Sequence, residues 1–183
     1  MTALFLALAL AAAEPVPTAE RVYRVNPAKA DAGFDLKATM HTVHGHTNQV
    51  RGEVRVRDEA GGALAMSGTI EIVAATLETG NASRDKTMRG ESLAVEQYPV
   101  ITLAPERFDP KTGTLTGTLT IRGVTKPTTI ALTLDRQADR VTATGTFDVP
   151  WLDFGVPDPS FAIVRVEKIA HARFSAEFVR VSP

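Results

Sequence analysis

Three histidines within six residues, His41-Thr42-Val43-His44-Gly45-His46, form the densest cluster of chemistry-bearing side chains in the chain. On an extended strand His44 and His46 point the same way, and two neutral imidazoles at that spacing can share a zinc or copper ion. His41 falls on the opposite face unless the chain turns near Gly45, and a third ligand would have to come from a distant carboxylate or from His171. The other reading is a polar strand end at the rim of a barrel, where histidines are half solvated. For acid or base work the same imidazoles need a carboxylate within about 3 Å, and no motif supplies one. No metal and no cofactor is assigned. His44 and His46 are the candidates if there is a metal, and an enzyme built on them stays open as an alternative.

A second group, Arg84, Asp85, Lys86 and Arg89, follows Asn81. Arginine suits bidentate contact with phosphate, so Arg84 and Arg89 are candidates for holding an anionic head group. Alternatively one of them pairs with Asp85 and pins a short helix, since Asp85 and Arg89 stand four residues apart. Trp151, the only tryptophan, sits among Pro150, Leu152 and Phe154, where it either fills a core or stacks on a ligand. There is no nucleophile elbow, P-loop or dinucleotide fingerprint. With no cysteine there is no disulfide framework, thiol nucleophile or thiolate zinc site. Twenty Lys and Arg stand against 21 Asp and Glu, a formal net charge of -1, which gives no global basic field for nucleic acid. Nothing here makes a catalytic constellation, and the reading is of a protein that is not an enzyme.

Period-two patterning must position these groups. In Phe34 to Met40 the even positions are apolar and the odd ones polar, and Val50 to Arg57 repeats the pattern. Leu64, Met66, Gly68, Ile70 and Ile72 share one face. Further rows are Leu115, Gly117, Leu119 and Ile121; Ile130, Leu132 and Leu134; Val141, Ala143, Gly145, Phe147 and Val149; and Ala172, Phe174, Ala176 and Phe178. Alternation of this kind marks antiparallel strands with one dry and one wet face. Asp58 to Gly62, Asp109 to Gly113, Gly123 to Pro127 and Asp135 to Arg140 carry turn chemistry. Only Asn81 to Glu91 resists a strand reading, and Asn81 can cap a short helix there.

One all-β domain results. Its wet faces are too polar to be covered by a second layer, and closing the sheet on itself removes the edges. About eight strands of this size enclose an interior that can hold one small ligand. The inward rows contain Gly52, Gly68, Gly117, Ala143, Gly145, Ala172 and Ala176. Small inward residues either leave room for a guest or mark the bends at which barrel strands coil, and the pattern leaves both open. On the first reading, Gly145→Phe fills the hollow without unfolding the barrel. At the N-terminus, Ala3 to Ala13 is an apolar run with an A-x-A ending, too short to span a bilayer. It predicts a signal peptide at 1–13, a leader at 14–20 and the barrel at 21–183, in a protein that is periplasmic or secreted.

Thr79-Gly80-Asn81-Ala82-Ser83-Arg84-Asp85, Met88-Arg89 and Tyr98-Pro99-Val100-Ile101-Thr102-Leu103 resemble, in order, the segments of the YceI-like family. Leu115 to Pro127, with Gly117, Gly123-Val124 and Lys126-Pro127, resembles that family's hairpin. Phe34 through Val43-His44-Gly45, and Asp153-Phe154-Gly155, are similar to its early and late segments. Thr87 and Met88 depart from the His and Leu found in many members. The resemblance implies an all-β fold, an eight-stranded antiparallel lipocalin-like barrel with a short helix near residues 81–91. It also implies an interior that holds a polyisoprenoid chain, such as an isoprenoid quinone or a prenyl diphosphate, as carrier or store. The expected lining is Phe34, Leu36, Met40, Met66, Ile70, Ile72, Leu119, Ile121, Ile130, Leu132, Phe147, Phe174 and Phe178. The expected partners are the isoprenoid lipid and, transiently, a membrane, with the protein a monomer or a homodimer. A ligand-free envelope stress or interaction module, its barrel filled by its own side chains, is a further alternative.

Overall fold

Alternation becomes nine antiparallel strands in the computed structural model, which describes residues 19–160 and 165–181. The expected signal peptide lies outside the described residues, as does the leader up to residue 18. The strands are β1 Arg21–Lys37, β2 Thr42–Thr47, β3 Val50–Asp58, β4 Leu64–Val73, β5 Val100–Asp109, β6 Thr114–Ile121, β7 Val124–Gln137, β8 Arg140–Val149 and β9 Ala170–Val181. From β3 to β9 each strand pairs with the next, and β9 pairs back onto β1 from Val22↔Val181 to Asp35↔His171. That last pairing closes an eight-stranded barrel and leaves no open sheet.

The additional strand is β2. It pairs with the second half of β1 (Ala32↔Thr47 to Lys37↔Thr42), while β3 pairs with the first four residues (Arg21↔Val56 to Arg24↔Glu53). Asn48 and Gln49 separate the two, so β2 and β3 lie in succession along β1. Between its two halves β1 bulges at Asn26–Lys29, where register with β9 shifts. There Asn26 and Lys29 fold over β9 and donate to the Glu177 carboxylate at 2.8 and 2.9 Å.

The connections fall at two ends. Three hairpins, at 58–64, 109–114 and 137–140, lie at one end together with the start of β1. The opposite end carries the β1–β2 turn, the segment 74–99 with helix α1 (Ala82–Thr87), and the β8–β9 connection. One expected reversal is shorter than its turn residues implied. The β6–β7 turn is only Arg122-Gly123, both at positive φ, and Val124 to Pro127 already belong to β7. Positive φ at both central residues matches the right-handed twist of a hairpin.

Candidate functional site

Inward-facing side chains divide into two clusters. The main one holds Val54, Leu103, Phe108, Leu115, Ile130, Leu132 and Phe178, with Ile130 wholly enclosed at 0% exposure. The second sits toward the α1 end and holds Leu119, Ile121, Val149, Trp151 and Phe154. Trp151 is buried there, and its indole Nε1 donates to the Glu167 carbonyl at 2.9 Å. This cluster plugs one end of the barrel. Trp151 is therefore a filler, tied by its polar edge to the strap before β9.

Toward the hairpin end the interior is not filled. A cavity of about 100 Å³ lies between Val54, Val56, Leu64, Met66, Ile70, Leu103, Leu132, Leu134, Phe174 and Phe178. It reaches the surface at Arg21 and Arg136. Its wall is overwhelmingly apolar, so it suits a hydrocarbon and has few groups with which to orient a polar molecule. For scale, a cavity of about 150 Å³ admits a benzene ring. The hollow in this state thus has room for less than one such ring.

Of the residues expected to line the interior, Met66, Ile70, Leu132, Phe174 and Phe178 form part of that wall. Ile130, Ile72 and Phe147 face inward but pack in the main cluster. Leu36, Leu119 and Ile121 belong to the plug. Phe34 has the inward parity of its neighbour Ala32, with its ring laid over Gly45. Met40 is elsewhere: β1 ends at Lys37, and the amide of Ala38 donates back to the His41 carbonyl, so Met40 sits at the tip of the β1–β2 turn, 86% exposed. Alternation extrapolated through that turn places it wrongly. The wall residues Val54, Val56, Leu64, Leu134 and Val141 continue the same rows and were reachable by the same parity.

Most of the small inward residues do not create space. A Cβ on Gly145 would overlap the ring of Phe174, and one on Gly45 the ring of Phe34. Aromatic rings lie flat where the strands lack side chains. Gly52 and Gly68, facing each other's strands across β3 and β4, have φ of +144° and +117° and leave no room between the two backbones. The bend-and-coil reading therefore accounts for these glycines, and Gly145→Phe is a clash instead of a filler.

Arg84 and Arg89 point into their own loop. Arg84 donates to the Thr79 hydroxyl at 2.7 Å and to the Thr79 carbonyl at 2.9 Å. Arg89 places Nε and a terminal nitrogen on the Leu77 carbonyl at 3.0 and 2.8 Å. The expected ion pair with Asp85 gives way to another arrangement. Asp85 is buried and accepts from the amide and hydroxyl of Thr79, at 2.8 and 2.5 Å. Those bonds, the hydroxyl's foremost, with Arg89 and Arg84 nearby, hold its carboxyl below the usual 3.8. Asn81 caps α1 by accepting from the Arg84 amide at 3.0 Å, and Gly80 makes the preceding turn with φ +75°. The whole Thr79–Arg89 segment is a self-bonded lock between β4 and β5, away from the cavity.

The histidines lie outside the barrel. Asp35 on β1 faces His44 on β2 and His171 on β9, and His171 faces Asp148 on β8, giving one transverse row. His44 Nδ1 donates to Asp35 at 2.7 Å and His171 Nδ1 to Asp148 at 2.6 Å, while Arg173 also reaches Asp35 at 2.7 Å. The bond from His44, with that from Arg173, keeps the Asp35 carboxyl below 3.8. His46 turns to Glu78, 3.4 Å away. His44, His46 and His171 thus each have their own carboxylate, and among the described residues no three His, Asp or Glu side chains converge to hold a metal ion.

Comparison with known proteins agrees with this architecture. A family model described as a YceI-like domain matches residues 23–178. Among solved structures, BcnA of Burkholderia cenocepacia superposes with a TM-score of 0.69 at 19% identity, covering 84% of this chain and 98% of that one. A polyisoprenoid-binding domain from Saccharophagus degradans, implicated in plant cell wall breakdown, gives 0.67 at 14% identity over 87% and 98%. The YceI protein of Campylobacter jejuni gives 0.56 at 15% identity over 79% and 88%. No curated protein matches the sequence.

Proposed function

The chain belongs to the YceI-like family, and from that premise we propose that it is an exported binding protein, not an enzyme, that takes the apolar chain of an isoprenoid lipid into its barrel as carrier or store. The observation that carries this reading is the apolar cavity, plugged at the α1 end and open at the hairpin end. The polyisoprenoid-binding domain from Saccharophagus degradans, similar in fold, supports the same class of ligand.

Size constrains the mechanism. A prenyl chain of several units exceeds 100 Å³, so uptake must displace side chains that now fill the interior. Phe174, whose ring covers Gly145, and the flexible Met66 are the wall residues best placed to yield. Energetics fit a reversible carrier. Each five-carbon unit taken from water gains roughly 4 kcal/mol at about 0.8 kcal/mol per methylene, so a long chain bound from water would soon pass the ceiling of known affinities. Taken from a membrane, where it is already dry, the same chain exchanges at little net cost. Transient membrane contact is thus part of the proposal.

Organic extraction of the protein purified from cells, followed by mass spectrometry, tests the reading. A prenyl quinone or prenyl phosphate at near-stoichiometric yield is the expected outcome. Protein that yields no lipid and binds no apolar dye would instead be a ligand-free module whose barrel is its own filling.

A further inference from the structure

The apolar cavity has a polar end, and its groups are only partly spent on the fold. Arg21 stands opposite Val56, and Arg136 opposite Val141; both valines face the cavity, so both arginines carry inward parity at the hairpin end. Arg21 uses one terminal nitrogen on Asp58, at 2.5 Å. Its Nε is buried and has no hydrogen-bond partner among the described residues. Folded proteins rarely leave a buried donor in that condition. Arg136 makes no hydrogen bond or ion pair among the described residues, although most exposed arginines on this barrel are paired with a carboxylate. Tyr23 lines the wall next to Arg21. Among the described residues no Asp or Glu lines the cavity.

From these groups we infer that the mouth between Arg21 and Arg136 is the head-group site, and that it selects amphiphiles with an anionic head, a phosphate or a carboxylate, over neutral ones. The inference rests on the proposed binding of an apolar chain in the barrel. It puts the charged end of the ligand at the end of the barrel opposite to Arg84 and Arg89. Tail-first entry leaves the head at the mouth, where Arg136 supplies a free guanidinium and Arg21 an unused N–H. The hairpins around the mouth also carry carboxylates, of which Asp58 pairs with Arg21 and Glu59 with Arg107, while Asp109, Asp135 and Asp139 stand nearby. Among the described residues none of these lines the cavity, so Arg136 is the unpaired cation that does.

Titration of the purified full chain with geranyl phosphate, decanoate and geraniol tests this directly. Geranyl phosphate should bind about tenfold or more tightly than geraniol, as a charge-assisted bond implies, and its advantage should shrink as salt is raised. In Arg136→Gln that ratio should collapse toward one, and in Arg136→Lys it should be largely kept. A preference for geranyl phosphate over decanoate assigns the mouth to prenyl phosphates; equal binding of the two assigns it to anionic heads in general. If geraniol binds as tightly as geranyl phosphate, or if Arg136→Gln leaves the ratio unchanged, the head-group site is wrong while chain binding stands. If none of the three ligands binds, the site and the underlying function both fall.

Discussion

Gly145 is where a missing side chain is used for packing instead of for a guest. The ring of Phe174 occupies the place of its Cβ, and a Cβ there would also come within 2.9 Å of a methyl of Ile130. Gly145→Ala therefore overpacks the interior and should cost about 1–3 kcal/mol, read as a lower midpoint in urea denaturation. Phe174→Ala acts in the other direction. It should enlarge the cavity, raise the binding of an apolar dye, and lower stability by up to about 3–5 kcal/mol. If Gly145→Ala were neutral and Phe174→Ala bound no more dye, the ring would not be the gate to the interior. Parity could show from residues alone that Phe174 faces inward, and it did so for nearly all of the expected lining. What parity could not show is that a neighbouring strand's glycine had already claimed the ring.

Elements that join the strands depend on depressed carboxylates. Asp158 pairs with Lys168 at 2.5 Å and accepts from the Ser160 amide at 2.9 Å, tying together the connection that leads into β9. These bonds, Lys168's foremost, lower its carboxyl from 3.8 to about 2. A folded-state value below the unfolded one gives stability that is fully present above the ordinary carboxylate range and is lost as pH falls through the folded value. The melting temperature of Asp158→Asn should therefore lie below that of the native chain above about pH 4 and converge with it near pH 2. A gap that persists unchanged at pH 2 would rule out this linkage. Asp85 has the same sign, held low by Thr79. Asp85→Asn should speed amide exchange across residues 77–92 while leaving β3 and β4 protected; uniform exchange would show that the lock is not local. Strands β3, β4, β6, β8 and β9, and β7 from Ile130 on, were legible because their alternation is unbroken, whereas Val124 to Pro127 read as part of a turn. The first half of β1 was not, since Asn26-Pro27-Ala28-Lys29 interrupts its period with a bulge that only the distant Glu177 makes favourable. In β5, Pro105 and the register shift beside it hide the same signal.

At the scale of the whole molecule, closure and asymmetry together make the function possible. β1 joins β9, so apolar faces from eight strands meet around a common axis, and the Trp151 cluster stops one end. The barrel was legible from alternation, but which end is stopped was not. That depends on Trp151 and Phe154 in a loop between β8 and β9 reaching across to Leu119 and Ile121. The most direct measurement of the central claim is methyl NMR of the full chain titrated with a prenyl alcohol. Leu64, Leu132 and Leu134 methyls in the cavity wall should shift with saturation, while Leu119 and Ile121 in the plug stay nearly fixed. Shifts confined to surface methyls, or no saturable shift in the wall, would contradict a chain held inside the barrel.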